Sequence, residues 1–135
     1  MNLPVEHALA LLARARDDLY VVRRLAVDPD APGWVLGFHA QQAVEKALKA
    51  WLDLRGQLYP RIHDLDELLR LLRQHGAPVP VEFDSLAILT DFGVAFRYEA
   101  YEDAGEPFDR GEMAGAVEHL VQHVQSLLPP VMPEH

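Results

Sequence analysis

The sequence predicts an all-α protein, a five-helix up-and-down bundle. Three observations carry that prediction. Five segments place apolar residues at helical spacing, the links between them are short and rich in Pro and Gly, and no segment shows the period-2 alternation of a half-buried strand. The chain has 135 residues, 50% of them hydrophobic, enough for a single domain with its own core. Residues 1–128 are expected to form that domain, and 129–135 a loose tail.

The first helix is predicted from Leu3 to about Ala26, with Val5, Ala8, Leu9, Leu12, Ala15, Leu19 and Val22 inward. Asp28-Pro29-Asp30-Ala31-Pro32-Gly33 breaks it. The second helix runs from about Trp34 to Arg55 and stops at Gly56, which tolerates positive φ after a helix end. Tyr59 to His63 is a linker. Asp64 then reads as an N-cap, with Glu67 three residues on in the manner of a capping box, and Leu65, Leu68, Leu69 and Leu72 as the buried face. Gly76, Pro78 and Pro80 end the third helix. The fourth is predicted from about Glu82 to Arg97, with Phe83, Leu86, Leu89, Thr90, Gly93 and Phe96 inward. An acidic, turn-rich stretch from Tyr98 to Phe108 follows. Asp109 and Glu112 repeat the cap-and-Glu pattern and open the fifth helix, which faces Met113, Val117, Leu120, Val121, Val124 and Leu128 inward until Pro129-Pro130.

Composition narrows the chemistry. With no cysteine, disulfides, thiolate metal sites and cysteine nucleophiles are excluded. The formal charge of −9 opposes nonspecific nucleic-acid binding, which needs a basic stripe to displace phosphate counterions. It favours a partner with a basic patch. No apolar run approaches the ~18 residues of a membrane span, and the start lacks a signal peptide's basic region. The expectation is a cytoplasmic protein with no membrane contact.

One stretch stands apart: Phe38-His39-Ala40-Gln41-Gln42-Ala43-Val44-Glu45-Lys46-Ala47-Leu48-Lys49-Ala50-Trp51. As a helix it puts Ala40, Ala43, Val44, Ala47, Leu48 and Trp51 on one apolar arc. His39, Gln42, Lys46 and Lys49 fall on the opposite arc, with Gln41 and Glu45 at its edge. The small alanines allow close approach of a neighbouring helix. Both lysines of the chain lie on the polar arc, beside an imidazole and amides. That arc is either a solvated face with one Glu45–Lys49 pair or a ligand surface.

The chain resembles the HEPN family, the higher-eukaryote and prokaryote nucleotide-binding domain, over nearly its whole length. The resemblance rests on residues 38–49, on His63-Asp64-Leu65 with the leucine-rich helix after it, and on Phe96-Arg97-Tyr98. It implies a helical bundle, commonly a homodimer, often paired with a small nucleotidyltransferase in toxin–antitoxin-like modules. Some members are metal-independent ribonucleases that use an Arg, four to six intervening residues and a His. Arg97 occupies the Arg position, but the His positions are Glu102, Asp103 and Ala104. A carboxylate there repels phosphate and titrates far from neutrality.

The resulting expectation is a non-catalytic nucleotide-binding and interaction module that partners a nucleotidyltransferase. Its ligand, a nucleotide or RNA phosphate, would meet His39, Gln42, Lys46, Lys49, His63, Arg97 and Tyr98. Lys46, Lys49 and Arg97 would supply charge; His39, Gln42 and Tyr98 would supply directed hydrogen bonds or stacking. His63 reads either as a phosphate contact at a helix N-terminus or as a group that orients the cap and packs on the second helix. The alternative is a metal-independent endoribonuclease toxin built on Arg97. Arg70 and His75 match the spacing too, but belong to the third helix, where Arg73 and His75 read as cations near a helix C-terminus. His119 and His123, at i,i+4 with no ligand complement, read as a solvated pair on the outer face of the last helix. No metal and no cofactor are expected.

Overall fold

The computed structural model describes residues 3–93 and 106–129. Regular structure among them is helical throughout: α1 (Leu3–Ala26), α2 (Gly33–Leu54), α3 (Leu65–Gln74), a 3-10 helix (Val81–Gly93) and α4 (Arg110–Ser126). The expected helical bundle is what these residues form. Most of the proposed tail, 130–135, lies outside the described residues, as does the segment 94–105.

The helix ends follow from local chemistry. Asp64 Oδ1 accepts from the Asp66 amide at 3.0 Å and caps α3. Asp109 Oδ1 accepts from the Glu112 amide at 2.9 Å and caps α4. Each leaves one fewer orphan N–H, worth about 1 kcal/mol. Glu67 turns outward to Arg70. At the end of α2, Gly56 has φ +69°; its amide donates to the Asp53 carbonyl and that of Gln57 to the Leu52 carbonyl. Gly76, at φ +84°, closes α3 in the same way, with its amide on Arg73 and that of Ala77 on Leu72. Both are Schellman ends, which a side chain at the positive-φ position would strain.

α1 and α2 form the most extensive contact and run antiparallel, with His7 beside Asp53 and Asp18 beside Lys46. Ala8 and Ala15 on α1, and Ala40, Ala43, Ala47 and Ala50 on α2, are buried. Small side chains let two backbones approach closely, as the alanine spacing implied. α4 is antiparallel to α1, tied by Arg16 to Gln125 and Arg23 to Glu118. Arg110 joins its first turn to the α1–α2 link by donating to the Asp28 and Ala31 carbonyls at 2.9 and 2.8 Å.

α3 has ten residues, below the ~12–15 at which an isolated helix is even marginal. Tertiary burial stabilises it. Leu65, Leu68, Leu69 and Leu72 are all buried, at about 1.5–3 kcal/mol each.

The fourth segment departs from expectation in its pitch. It is a 3-10 helix whose buried residues are Phe83, Leu86, Leu89 and Phe92; Thr90 and Gly93 are only half-buried, and Phe96 lies outside the described residues. The spacing is strictly three. At α-helical pitch each such step drifts by about 60°, which would put Phe83 and Phe92 on opposite sides; at three residues per turn all four face inward. Burial of that row offsets the poorer hydrogen-bond geometry.

α2 meets the 3-10 helix through side-chain exchange. Gly37 leaves room for the Phe92 ring, and Gly93 for the Gln41 side chain: an added Cβ would lie 2.3 Å from Phe92 and 2.7 Å from Gln41. Gly37→Ala is expected to destabilise the protein by roughly 1–2 kcal/mol, because about 1–3 kcal/mol of overpacking exceeds the ~1 kcal/mol gain in helix propensity. Urea denaturation measures it, and Phe92→Leu in the same chain should recover part of the loss.

Candidate functional site

The polar arc of α2 is only partly open to water. It lies against α1 on one side and the start of α3 on the other, and two carboxylates organise it. Asp18 of α1 accepts from His39 Nδ1 at 3.0 Å through one oxygen and from Lys46 Nζ at 2.6 Å through the other. Glu45 accepts from Gln41 Nε2 at 2.9 Å and His63 Nδ1 at 3.0 Å through one oxygen, and from Lys49 Nζ at 3.1 Å through the other. Gln42 Nε2 donates to Gln41 Oε1 at 2.7 Å, which extends the Glu45 group toward the His39–Gln42–Lys46 row.

Burial explains the pairing. Gln41 is 0% exposed and Glu45 8%. Polar groups so placed carry a desolvation cost unless bonded, and no buried side-chain polar atom lacks a partner among the described residues. Burial pushes the Glu45 carboxyl up; hydrogen bonds from Gln41 and His63, with the Lys49 ammonium beside it, more than offset that and hold it below its ordinary 4.5.

A third carboxylate continues the seam. Asp53 accepts from His7 Nδ1 at 2.5 Å. Burial, then the Asp53 charge, pushes the Tyr59 phenol well above its ordinary value and keeps it a donor. The Tyr59 ring lies 6.0 Å from Lys49 Nζ, completing a polar wall along α2.

The structure therefore brings His39, Gln42 and Lys46 together around Asp18, and Lys49 and His63 together around Glu45. Arg97 and Tyr98 lie outside the described residues. Both lysines face internal carboxylates, so the two ammoniums are balanced by two carboxylates and the cluster is not an unbalanced basic patch. Donors remain: each ammonium has three and places one on its carboxylate, and each imidazole keeps its second nitrogen. His63 is the most accessible, its side chain 69% exposed. It is tied to α2 by its hydrogen bond to Glu45.

Asp18 and the burial of Gln41 were not anticipated. A signal for Asp18 exists: it follows Ala15 by three residues and precedes Val22 by four, in register with the buried face of α1. Neither of two sizeable clefts holds any predicted residue. One, of about 320 Å3, lies at the C-terminal ends of α2 and α4 beside Trp51, Arg55 and His123. The other, of about 280 Å3, lies between the 3-10 helix and α4.

The α4 histidines meet the solvated-pair expectation only in part: His119 is exposed, whereas His123 is half-buried. His123 lies 5.0 Å from the Trp51 ring and 5.6 Å from Phe83; His119 lies 5.1 Å from Phe83. They cover aromatic core residues. Arg70 is bound to Glu67, and His75 caps the end of α3, its carbonyl accepting from Arg55 at 3.0 Å.

A family model described as the HEPN domain matches residues 8–129. The chain belongs to the HEPN domain family, which makes it a nucleotide- or RNA-related helical module. No curated protein and no solved structure matches it. Among the described residues, no helix is long and apolar enough to cross a membrane.

Two outcomes follow from the Glu45 group. Gln41→Leu is expected to cost about 1–3 kcal/mol in chemical denaturation although it adds apolar surface, because it strips one donor from a buried carboxylate and leaves the Gln42 amide without its acceptor. Since the folded Glu45 titrates below the unfolded group, it adds stability above pH 4.5 that is lost as pH falls through its folded value. Glu45→Gln should therefore flatten the acid limb of a stability–pH profile below about pH 4.5.

Proposed function

We propose that this HEPN domain is a non-catalytic nucleotide-binding and interaction module that partners a small nucleotidyltransferase in a toxin–antitoxin-like pair, itself a cytoplasmic homodimer. The observation that carries the reading is the internal compensation of Lys46 and Lys49 by Asp18 and Glu45. A site for phosphoryl chemistry aims unbalanced positive charge at the reacting phosphate. Here the cations are already held, and their spare donors suit weak, reversible contact with a phosphate.

In this reading His39, Gln42 and Lys46 grip one end of a nucleotide, Lys49 and His63 the other, with Arg97 and Tyr98 contributed by the chain beyond Gly93. Calorimetry with nucleoside triphosphates tests it. Binding in the range of about 0.1–1 mM is expected, weakened roughly ten- to hundredfold by Lys46→Glu, as for loss of a charged hydrogen bond. No heat at millimolar ligand would remove nucleotide binding from the proposal. Gentle isolation of the tagged protein tests the partner part: a stoichiometric nucleotidyltransferase is expected, and its absence would remove that part.

One observation favours the endoribonuclease reading. The His63 imidazole is oriented by a buried carboxylate and leaves its other nitrogen to solvent, the arrangement of a general base. That base would act with Arg97 in place of the missing motif histidine. Cleavage of labelled RNA in chelator, lost in both Arg97→Ala and His63→Ala, would replace the leading proposal with this one.

A further inference from the structure

The 280 Å3 groove between the 3-10 helix and α4 has an apolar floor, including Leu86, Leu89, Phe108 and Met113. Ile88 stands at its edge, 46% exposed. The three-residue repeat puts Glu82, Ser85, Ile88 and Asp91 in one row, with Ser85 and Asp91 on either side of Ile88. Asp109 and Glu112 stand on the opposite side. Asp109 is used in capping α4, whereas the exposed Glu112 carboxylate pairs with no cation among the described residues.

Among the described residues, no Lys, Arg or His lines this groove. Arg73 is engaged with Asp84 and Arg110 with Glu106. At about 280 Å3 the groove has room for one or two anchoring side chains. An apolar floor with acidic margins is complementary to an apolar anchor flanked by cations. A second copy of this chain fits this groove poorly if it presents the same face, because that brings Asp109 and Glu112 against Asp109 and Glu112.

We propose that this groove is where the partner protein docks, through a short segment that seats a branched or aromatic apolar side chain on Ile88 and places Lys or Arg against Glu112 and Asp109. The proposal rests on the partner reading above. It locates the contact away from the α2 polar seam, so nucleotide and partner would occupy different faces.

The test is photo-crosslinking in the native host, with a photoreactive phenylalanine in place of Ile88 in the full chain. The crosslinked peptide is identified by mass spectrometry. The expected product joins position 88 to the nucleotidyltransferase at a segment with an apolar residue next to Lys or Arg. Glu112→Lys should cut its yield roughly tenfold, as like charges are brought together, and Glu112→Gln by less, with helical circular dichroism unchanged in both. The inference is overturned if the partner co-purifies with the unmodified chain but position 88 crosslinks to nothing, to an acidic segment, to this chain's own residues or to a second copy. An unchanged yield in Glu112→Lys overturns it as well. If no nucleotidyltransferase co-purifies with the unmodified chain, the partner reading fails first and this docking assignment falls with it.

Discussion

A carboxylate almost sealed from water sets the terms for the middle of this molecule. Glu45 is 8% exposed, and an ion so placed costs several kcal/mol unless donors surround it. Gln41 supplies one from the preceding turn and Lys49 another from the following turn, so helix geometry guarantees both. The third comes from His63, eighteen residues away, and requires the chain after α2 to return across the centre of that helix. The Asp64 cap and the leucine face of α3 follow directly from the chain's position at that point. The polar group and the apolar helix beside it are thus tied to one another.

The same logic extends to α1. Asp18 is in register with the buried face of α1 and spends both oxygens on α2, one on His39 and one on Lys46. Sliding α1 by a turn would leave a carboxylate, an imidazole and an ammonium unpaired at a largely buried seam. Apolar packing of alanine against alanine tolerates several registers; these polar pairs select one. Opposite them, Gly37 and Gly93 let Phe92 and Gln41 interlock between α2 and the 3-10 helix. α2 is therefore held on three sides by different devices: ion pairs, hydrogen bonds and shape.

This arrangement distributes charge in a way that bears on function. Both lysines and several arginines are consumed by internal partners, while the chain as a whole is strongly acidic. On the polar seam, the two lysines keep donors beyond those given to Asp18 and Glu45.

Much of the fold was legible in the residues because it depends on neighbours a few positions apart. The Asp64 and Asp109 caps, the glycine ends at Gly56 and Gly76, the leucines of α3, the apolar arc of α2 and the Glu45–Lys49 pair all arise within one or two helical turns. The 3-10 pitch was half legible. Phe83, Leu86, Leu89 and Phe92 recur at three, but only a wall to receive that row makes the tighter helix favourable. The partner of Lys46, the burial of Gln41 and the aromatic contacts of His119 and His123 could not be read in this way. By itself the sequence determined which residues share a helix and a face, since backbone geometry dictates that spacing. Which faces meet, and so whether a lysine greets solvent or an aspartate from another helix, was decided only by the tertiary structure, because it depends on the free energy of packing the whole chain at once.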